Sequence, residues 1–134
     1  MANFQSLEEA RDFFSNDRYA ALSGMTVEAI PEHGAVCAMA ITDDHLNAVG
    51  NLMGGAILAL ADFTFAVAAN NAYQPTVAQQ VSLNFLNASR GSRLISTAVC
   101  LKDGRSSCVY RIEIKDDLDR DIAQAVFTGF KFSK

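Results

Sequence analysis

A single carboxylate, Asp62, stands in an apolar segment that begins at a pair of glycines, GNLMGGAILALADFTFAV, residues 50–67. An ionised carboxylate among apolar groups is costly unless it is paired, solvated through a cleft or kept protonated. Two interpretations of Asp62 are therefore open. It is either bonded to backbone amides or to an arginine across an interface, or it is a general base or nucleophile in a pocket.

Gly54 and Gly55 lie where this segment begins a predicted helix. The first N–H groups of a helix have no partner within the helix and attract anions, and glycine lets a ligand approach them closely. The pair is either a simple turn or an oxyanion hole. Asp62 follows Gly54 by eight residues, about 12 Å along a helix, so one carbonyl cannot contact both in one chain. If the two cooperate, they belong to different subunits.

The elements around this segment follow from periodicity and turn residues. Ser6 and Glu9 match a capping box, which predicts a helix from near Leu7. A short helix is expected over 17–22, and strands over 25–30, 35–41, 81–85, 93–101, 107–114 and 122–132. This order, without repeats or linkers, predicts one α+β domain over residues 1–134.

The long helix is expected over about 56–71, and its part over 56–69 is apolar around the full circumference apart from Asp62 and Thr64. A helix of this kind is buried, so a single sheet must curl around it. Its remaining face is expected to meet another subunit, because a chain of 134 residues has little else to cover it. The apolar run over 56–69 is shorter than the ~18 residues of a membrane span, so no membrane segment is expected.

Composition argues against several other functions. The net charge is −4 and no basic block occurs, which argues against nucleic-acid binding. Cys37, Cys100 and Cys108 lack CxxC spacing and are expected to be buried free thiols of a reducing cytosol. His33 and His45 lack metal-ligand spacing, so no metal is expected. His45 is expected on a surface loop, and the alternative is a proton relay, for which it would have to reach the site. The N-terminal residues lack a basic region followed by an apolar one, as in a signal peptide, so a cytoplasmic protein is expected.

The segment HLNAVGNLMGGAILALADFTFAV, residues 45–67, resembles the hotdog-fold acyl-CoA thioesterases, specifically the phenylacetate-pathway (PaaI-like) branch. It has an asparagine, six further residues, a Gly-Gly pair and an aspartate two helical turns on. Residues 81–117 resemble the family's series of strands and turns, including a Lys-x-Gly-Arg turn. The resemblance implies a curved antiparallel sheet wrapped around one long central helix. It also implies homodimers with sites at the subunit interface, which in this family often pair into homotetramers.

The same resemblance implies roles for individual residues. Asp62 would be the catalytic carboxylate, acting on the thioester as a nucleophile or through a water. Gly54 would donate its backbone N–H to the thioester oxygen, and Asn47 would orient the water or the substrate carbonyl. The implied reaction converts an acyl-CoA into free acid and coenzyme A without a metal or cofactor.

Six further residues are candidates for substrate binding. Gln79 is in step with Val81, Leu83 and Phe85, which form the apolar face of a predicted strand. It would therefore lie at the end of that face, at the edge of the site. Cations in exposed turns suit the phosphates of coenzyme A, although a solvated turn is the alternative for each. The six candidates are Met53, Gly55, Gln79, Arg90, Lys102 and Arg105.

Met53 stands where this branch usually has histidine, and methionine forms no strong hydrogen bond. This departure leaves a second function open, a non-catalytic acyl-CoA-binding module on the same fold. A third is a structural role in which an arginine across an interface holds Asp62.

Overall fold

Three α-helices and six β-strands make up residues 3–133, the part of the chain that this computed structural model describes. The helices are α1 (Leu7–Phe14), α2 (Arg18–Leu22) and α3 (Gly54–Ala72). The strands are β1 (Met25–Ala29), β2 (Gly34–Ala40), β3 (Thr76–Phe85), β4 (Arg93–Asp103), β5 (Ser107–Asp116) and β6 (Asp121–Lys131). A 3₁₀ turn, Asp43–His45, lies between β2 and α3.

The strands form one antiparallel sheet in the order β1-β2-β4-β5-β6-β3. Helix α3 packs against strands from across this sheet, including β2, β4 and β5 in its middle and β3 at its edge. The predicted fold, a curved antiparallel sheet around one long helix, is therefore confirmed. Strands β1 and β3 are the two edges.

Alternation along the strands builds the core between sheet and helix. In β5, Cys108, Tyr110, Ile112 and Ile114 point to one face and are all buried, as the sequence predicts. From α3, the Phe65 ring stacks on Phe127 of β6 at 5.0 Å and meets Tyr110 edge-on at 5.7 Å.

Helix α3 starts at Gly54 and has 19 residues, so it is longer than the apolar run over 56–69. By length and composition alone, this helix is apolar enough to cross a membrane. It lies in the core of this fold, however, and more than half of it is buried there. Gly55, Leu58 and Asp62 mark the face that the chain leaves exposed.

Two other expectations need correction. Strand β3 begins at Thr76 rather than at Val81, and a bulge between Ala78 and Gln80 interrupts its pairing with β6. Of the three free cysteines, Cys37 and Cys108 are buried as predicted, whereas Cys100 is only partly buried.

The predicted helix starts are confirmed in detail. The Ser6 hydroxyl accepts the Glu9 N–H at 3.1 Å, and the Glu9 carboxylate accepts the Gln5 N–H at 2.9 Å. The Asp17 carboxylate caps α2 by accepting the Ala20 N–H at 3.1 Å.

Candidate active site

Asp62 lies in the wall of a pocket of about 460 Å³ between α3 and the edge of the sheet. The pocket is lined by Gly55, Leu58, Ala59 and Asp62 from α3, residues 78–81 of β3, and Phe127 of β6. Asp62 is the only ionisable residue among them. The α3–β3 arrangement therefore puts one carboxylate in a mainly apolar cleft.

The Asp62 carboxyl has a pKa raised above its ordinary value, chiefly because burial by the surrounding atoms disfavours the charge. The nearby carboxylate of Asp17, at the start of α2, raises this pKa further. Within residues 3–133, Asp62 has neither a hydrogen-bond partner nor a cation paired with it, although the side chain is open to solvent. A purely structural Asp62 would therefore need its partner from another subunit.

The N-terminus of α3 presents two free backbone donors. Neither the Gly54 N–H nor the Gly55 N–H has an acceptor in the described part of the chain. Met53 occupies the capping position and has no side-chain acceptor to offer, unlike Ser6 and Asp17 at α1 and α2. The dipole of α3 makes this uncapped end attractive to an oxygen that carries negative charge.

Gly54 opens into a second pocket, of about 480 Å³, rather than into the Asp62 pocket. This Gly54 pocket is lined by Asn51, Leu52, Gly54, Ile57, Phe85, Leu86 and residues 87–89. A Cβ atom on Gly54 would lie 3.0 Å from the Phe85 ring, so only glycine fits beneath that ring without a shift. In one chain, Gly54 and Asp62 therefore face separate cavities.

Asn47 organises the loop that leads into α3. Its Oδ1 accepts the N–H groups of Val49 at 3.1 Å and Asn51 at 3.0 Å, and its own N–H donates to the Asn51 carbonyl at 2.7 Å. The Asn47 side-chain carbonyl is therefore occupied within the loop. The amide Nδ2 has no acceptor among residues 3–133 and is the part of the side chain that can contact a ligand.

Gln79 lies in the wall of the Asp62 pocket, as does its neighbour Gln80. The alternation on which the Gln79 prediction was based does not extend this far, because Gln79 is the bulged residue of β3 and has no partner on β6. The bulge turns two successive glutamines toward one pocket. This local break in the period is not visible in the sequence.

The candidate cations lie at opposite ends of the fold. Arg90 follows Ser89, which lines the Gly54 pocket. Lys102 and Arg105 flank the β4–β5 turn, where Asp103 shares a cavity with Asn71 and Ala72 at the C-terminal end of α3. In one chain, Arg90 therefore directly follows a lining residue of the Gly54 pocket, whereas Lys102 and Arg105 lie near the other end of α3.

Met53 is 55% exposed beside the free amides. Its Cε lies 4.0 Å from the point where a Cβ on Gly55 would stand. The flexible thioether can therefore contact a group that binds at the start of α3.

His45 is buried, with 7% of its surface exposed, which corrects the expectation of a surface loop residue. Its Nδ1 accepts the Thr42 N–H at 3.0 Å, and its Nε2 bonds the Ser23 carbonyl at 2.9 Å. The spacing Thr-x-x-His is the signal that could have indicated this role, because the two residues form a capping box around the 3₁₀ turn.

Residues 49–123, more than half of the chain, match the family model described as the Thioesterase superfamily. The chain belongs to this superfamily. The matched segment contains both Gly54 and Asp62, and the chain is a PaaI-like hotdog thioesterase, an enzyme that hydrolyses thioesters.

Individual relatives agree with this assignment. The acyl-coenzyme A thioesterase PaaI of Escherichia coli K12 is 31% identical over 117 residues, which cover 87% of this chain and 84% of the relative. The solved structure of the E. coli PaaI protein, from the phenylacetic acid degradation operon, has a TM-score of 0.87 at 27% identity and covers 96% and 97% of the two chains. A mutant of the phenylacetic acid degradation protein PaaI of Thermus thermophilus has a TM-score of 0.81 at 28% identity, with coverages of 87% and 100%.

Proposed function

We propose that this thioesterase hydrolyses acyl-CoA to a free acid and coenzyme A in a site shared by two subunits. The observation that carries the proposal is that one chain keeps the Gly54 backbone donor apart from the Asp62 carboxylate. The free Gly54 N–H, at the start of α3, belongs to one pocket, whereas the unpaired Asp62 faces a different one. The similarity to the acyl-coenzyme A thioesterase PaaI supports acyl-CoA as the substrate class.

The amide pair supplies the hydrogen-bond donors of the proposed site. The thioester oxygen accepts the Gly54 N–H and becomes more negative as the carbonyl carbon is attacked. Fixed donors at a helix N-terminus stabilise that charge without reorganisation, and removal of one such donor typically costs about 3–4 kcal/mol. The Asn47 Nδ2 group stands in the loop that precedes this helix and is free to orient the carbonyl or a water.

Asp62 of the partner subunit supplies the other half, by one of two routes. As a general base it takes a proton from water, the oxygen of that water bonds to the carbonyl carbon, and the C–S bond breaks to release the CoA thiolate. As a nucleophile it bonds the carbonyl carbon itself, the thiolate leaves, and water then hydrolyses the mixed anhydride. Mass spectrometry of enzyme quenched during turnover separates the routes, because only the second gives an acylated Asp62.

Edge strand β3 supports the shared site. It pairs with β6 on one side only, and its apolar side chains Val77, Val81 and Phe85 are 43%, 37% and 58% exposed. A long apolar edge of this kind favours pairing with another chain. We propose a homodimer, with dimers pairing into homotetramers, as the working form in the cytoplasm.

The cations fit a role in binding coenzyme A across this assembly. Arg90 lies beside the Gly54 pocket, so it can pair with the phosphates of a substrate whose carbonyl is bound at Gly54. Lys102 and Arg105 are at the far end of the same chain, and they contribute only where another subunit brings them to the channel. Gln79, Gly55 and Met53 line the approach to the thioester.

Thiol release from phenylacetyl-, benzoyl-, hexanoyl- and palmitoyl-CoA tests the proposal, with wild type beside Asp62→Asn. We expect release from at least one substrate and a kcat at least ~100-fold lower in the variant. Asp12→Asn, which removes an exposed carboxylate from α1, is the matched control and should retain activity.

Unchanged turnover in Asp62→Asn would remove this residue from the mechanism. Saturable binding of acyl-CoA in calorimetry without thiol release would instead indicate the non-catalytic binding module. Met53 is the feature that favours this second candidate, because it replaces a hydrogen-bonding side chain at the start of α3.

A further inference from the structure

We infer that His45 is a positioning residue that holds the Gly54 and Gly55 amides in place through the loop before α3. This inference rests on the proposed role of those amides. His45 does not line the Gly54 pocket or the Asp62 pocket. Its effect on the reaction would therefore be indirect, through the backbone.

The imidazole of His45 connects two parts of the chain that are distant in sequence. Nε2 reaches the carbonyl of Ser23, which ends α2, and Nδ1 accepts the N–H of Thr42, which follows β2. Because Nδ1 accepts an N–H, it carries no proton, and the proton of the neutral ring is on Nε2. Both ring nitrogens are thus used, and the orientation of the ring is fixed.

The backbone of His45 transmits this anchoring to the helix. Its carbonyl accepts the Met53 N–H at 2.9 Å, and Met53 immediately precedes Gly54. Between them the loop closes on itself through the bridge of Leu46 to Leu52 and the Asn47 bonds to Asn51. The side chain of Met53 provides no cap for α3, so this backbone bond is the link that fixes the residue before the two donors.

The direction of the free amides therefore depends on a bond that begins at His45. A donor aimed at a transition state loses much of its effect when it moves by about 1 Å, which can reduce the rate about 100-fold. The loss appears in kcat more than in KM, because the charge on the thioester oxygen develops only in the transition state.

Three variants separate the contributions of the ring. His45→Phe keeps an aromatic ring of similar size and loses both hydrogen bonds. His45→Asn places an acceptor where Nδ1 stands and loses the bond to Ser23, whereas His45→Gln can reach Ser23 and loses the bond to Thr42. Thr76→Val is the control, because it removes a buried hydroxyl bond at the opposite end of α3 with little change in shape.

Steady-state thiol release and amide hydrogen exchange provide independent measurements. For His45→Phe we expect kcat to fall about 10- to 100-fold, with a smaller change in KM and faster exchange at Met53, while the middle of α3 stays protected. His45→Asn and His45→Gln should each restore part of kcat. Thr76→Val should keep the wild-type kcat even if its melting temperature falls as far as that of His45→Phe.

A kcat of His45→Phe within twofold of wild type would overturn the inference. So would a Thr76→Val variant that loses as much stability as His45→Phe and also loses as much kcat. If wild type releases no thiol from any substrate, the proposed function fails by itself. The exchange measurement still tests His45 in that case, because unchanged protection at Met53 in His45→Phe would show that the ring does not hold the loop.

Discussion

Gly54 and Asp62 lie on the same helix but open into two different pockets. Gly54 stands at the first turn of α3 beneath the Phe85 ring, whereas Asp62 faces the bulged part of β3. A carbonyl bound at one of them is out of reach of the other in the same chain. Under the proposed function, activity therefore requires a second copy of the chain.

Val81→Lys tests this dependence on assembly. Val81 lies in the exposed edge strand and also lines the Asp62 pocket, so a lysine there puts charge into the proposed contact between subunits. We expect wild type to sediment as a dimer or larger species, and the variant to sediment as a folded monomer without thiol release. Leu22→Lys, at an 87% exposed position on α2, is the control and should keep both assembly and activity. A fully active wild-type monomer would contradict the shared site.

Most of the fold could be predicted from local patterns. The buried face of β5 follows a period of two, and the apolar circumference of α3 requires a sheet around it, so both were predicted correctly. The start of β3 was missed because Ala78, Gln79 and Gln80 follow no alternation. That segment is held by pairing with β6 and contains a bulge, and both depend on contacts distant in sequence.

The candidate site was only partly predictable, for a related reason. Asp62 and the Gly54–Gly55 pair stood out because a charge within an apolar helix and two glycines at its start are both unusual. His45 did not, because its burial depends on the Ser23 carbonyl, 22 residues earlier in the chain. Asn47 was correctly placed in the loop, but its Oδ1 bonds Val49 and Asn51, which only the folded loop reveals.

Asp62→Asn should make the protein more stable at neutral pH. The pKa of Asp62 is raised in the folded state by burial and by Asp17, so the folded protein binds this proton more tightly than the unfolded chain. The resulting stabilisation is complete below the unfolded pKa of about 4 and is lost as the pH rises through the folded value.

Thermal unfolding from pH 3.5 to 8 measures this effect. The asparagine variant should melt above wild type at pH 7, and the difference should close toward the acid end. Asp12→Asn, at an exposed position on α1, is the control for the loss of one negative charge. A variant less stable than wild type at pH 7 would indicate that an ion pair holds Asp62, as the structural interpretation requires.

Gly55→Ala separates stability from activity at the start of α3. The position has open space, since the nearest atom to an added Cβ is the Met53 Cε at 4.0 Å. Alanine restricts the unfolded chain and should stabilise the fold by up to about 1 kcal/mol. The same methyl group narrows the approach to the free amides, so we expect a lower kcat/KM in thiol release. Unchanged kcat/KM with the higher stability would place the substrate away from Gly55.

Asp116→Asn should loosen the loop that carries Arg90. Asp116 is 2% exposed, and its Oδ2 accepts the N–H groups of Arg90 at 3.0 Å and Gly91 at 3.1 Å. Its Oδ1 accepts those of Leu118 and Arg120, both at 3.0 Å. Burial alone would raise the pKa of Asp116, but these bonds outweigh it and lower the pKa to about 2. Asparagine has one acceptor oxygen, so one pair of N–H groups loses its partner.

The effect of this substitution should depend on pH in the opposite direction from that of Asp62→Asn. A carboxylate with a lowered pKa stabilises the fold above its unfolded pKa of about 4, and this contribution disappears as the pH falls toward the folded value. We expect Asp116→Asn to melt several degrees below wild type at pH 7, with a smaller gap at pH 2.5. The KM for acyl-CoA should rise as Arg90 loses its position.

The control is Asp119→Asn, which changes an exposed aspartate of the same turn. Asp119 has a φ of 63°, and asparagine tolerates that backbone conformation. An equal loss of stability in both variants would show that the turn, rather than the Asp116 bonds, sets the effect.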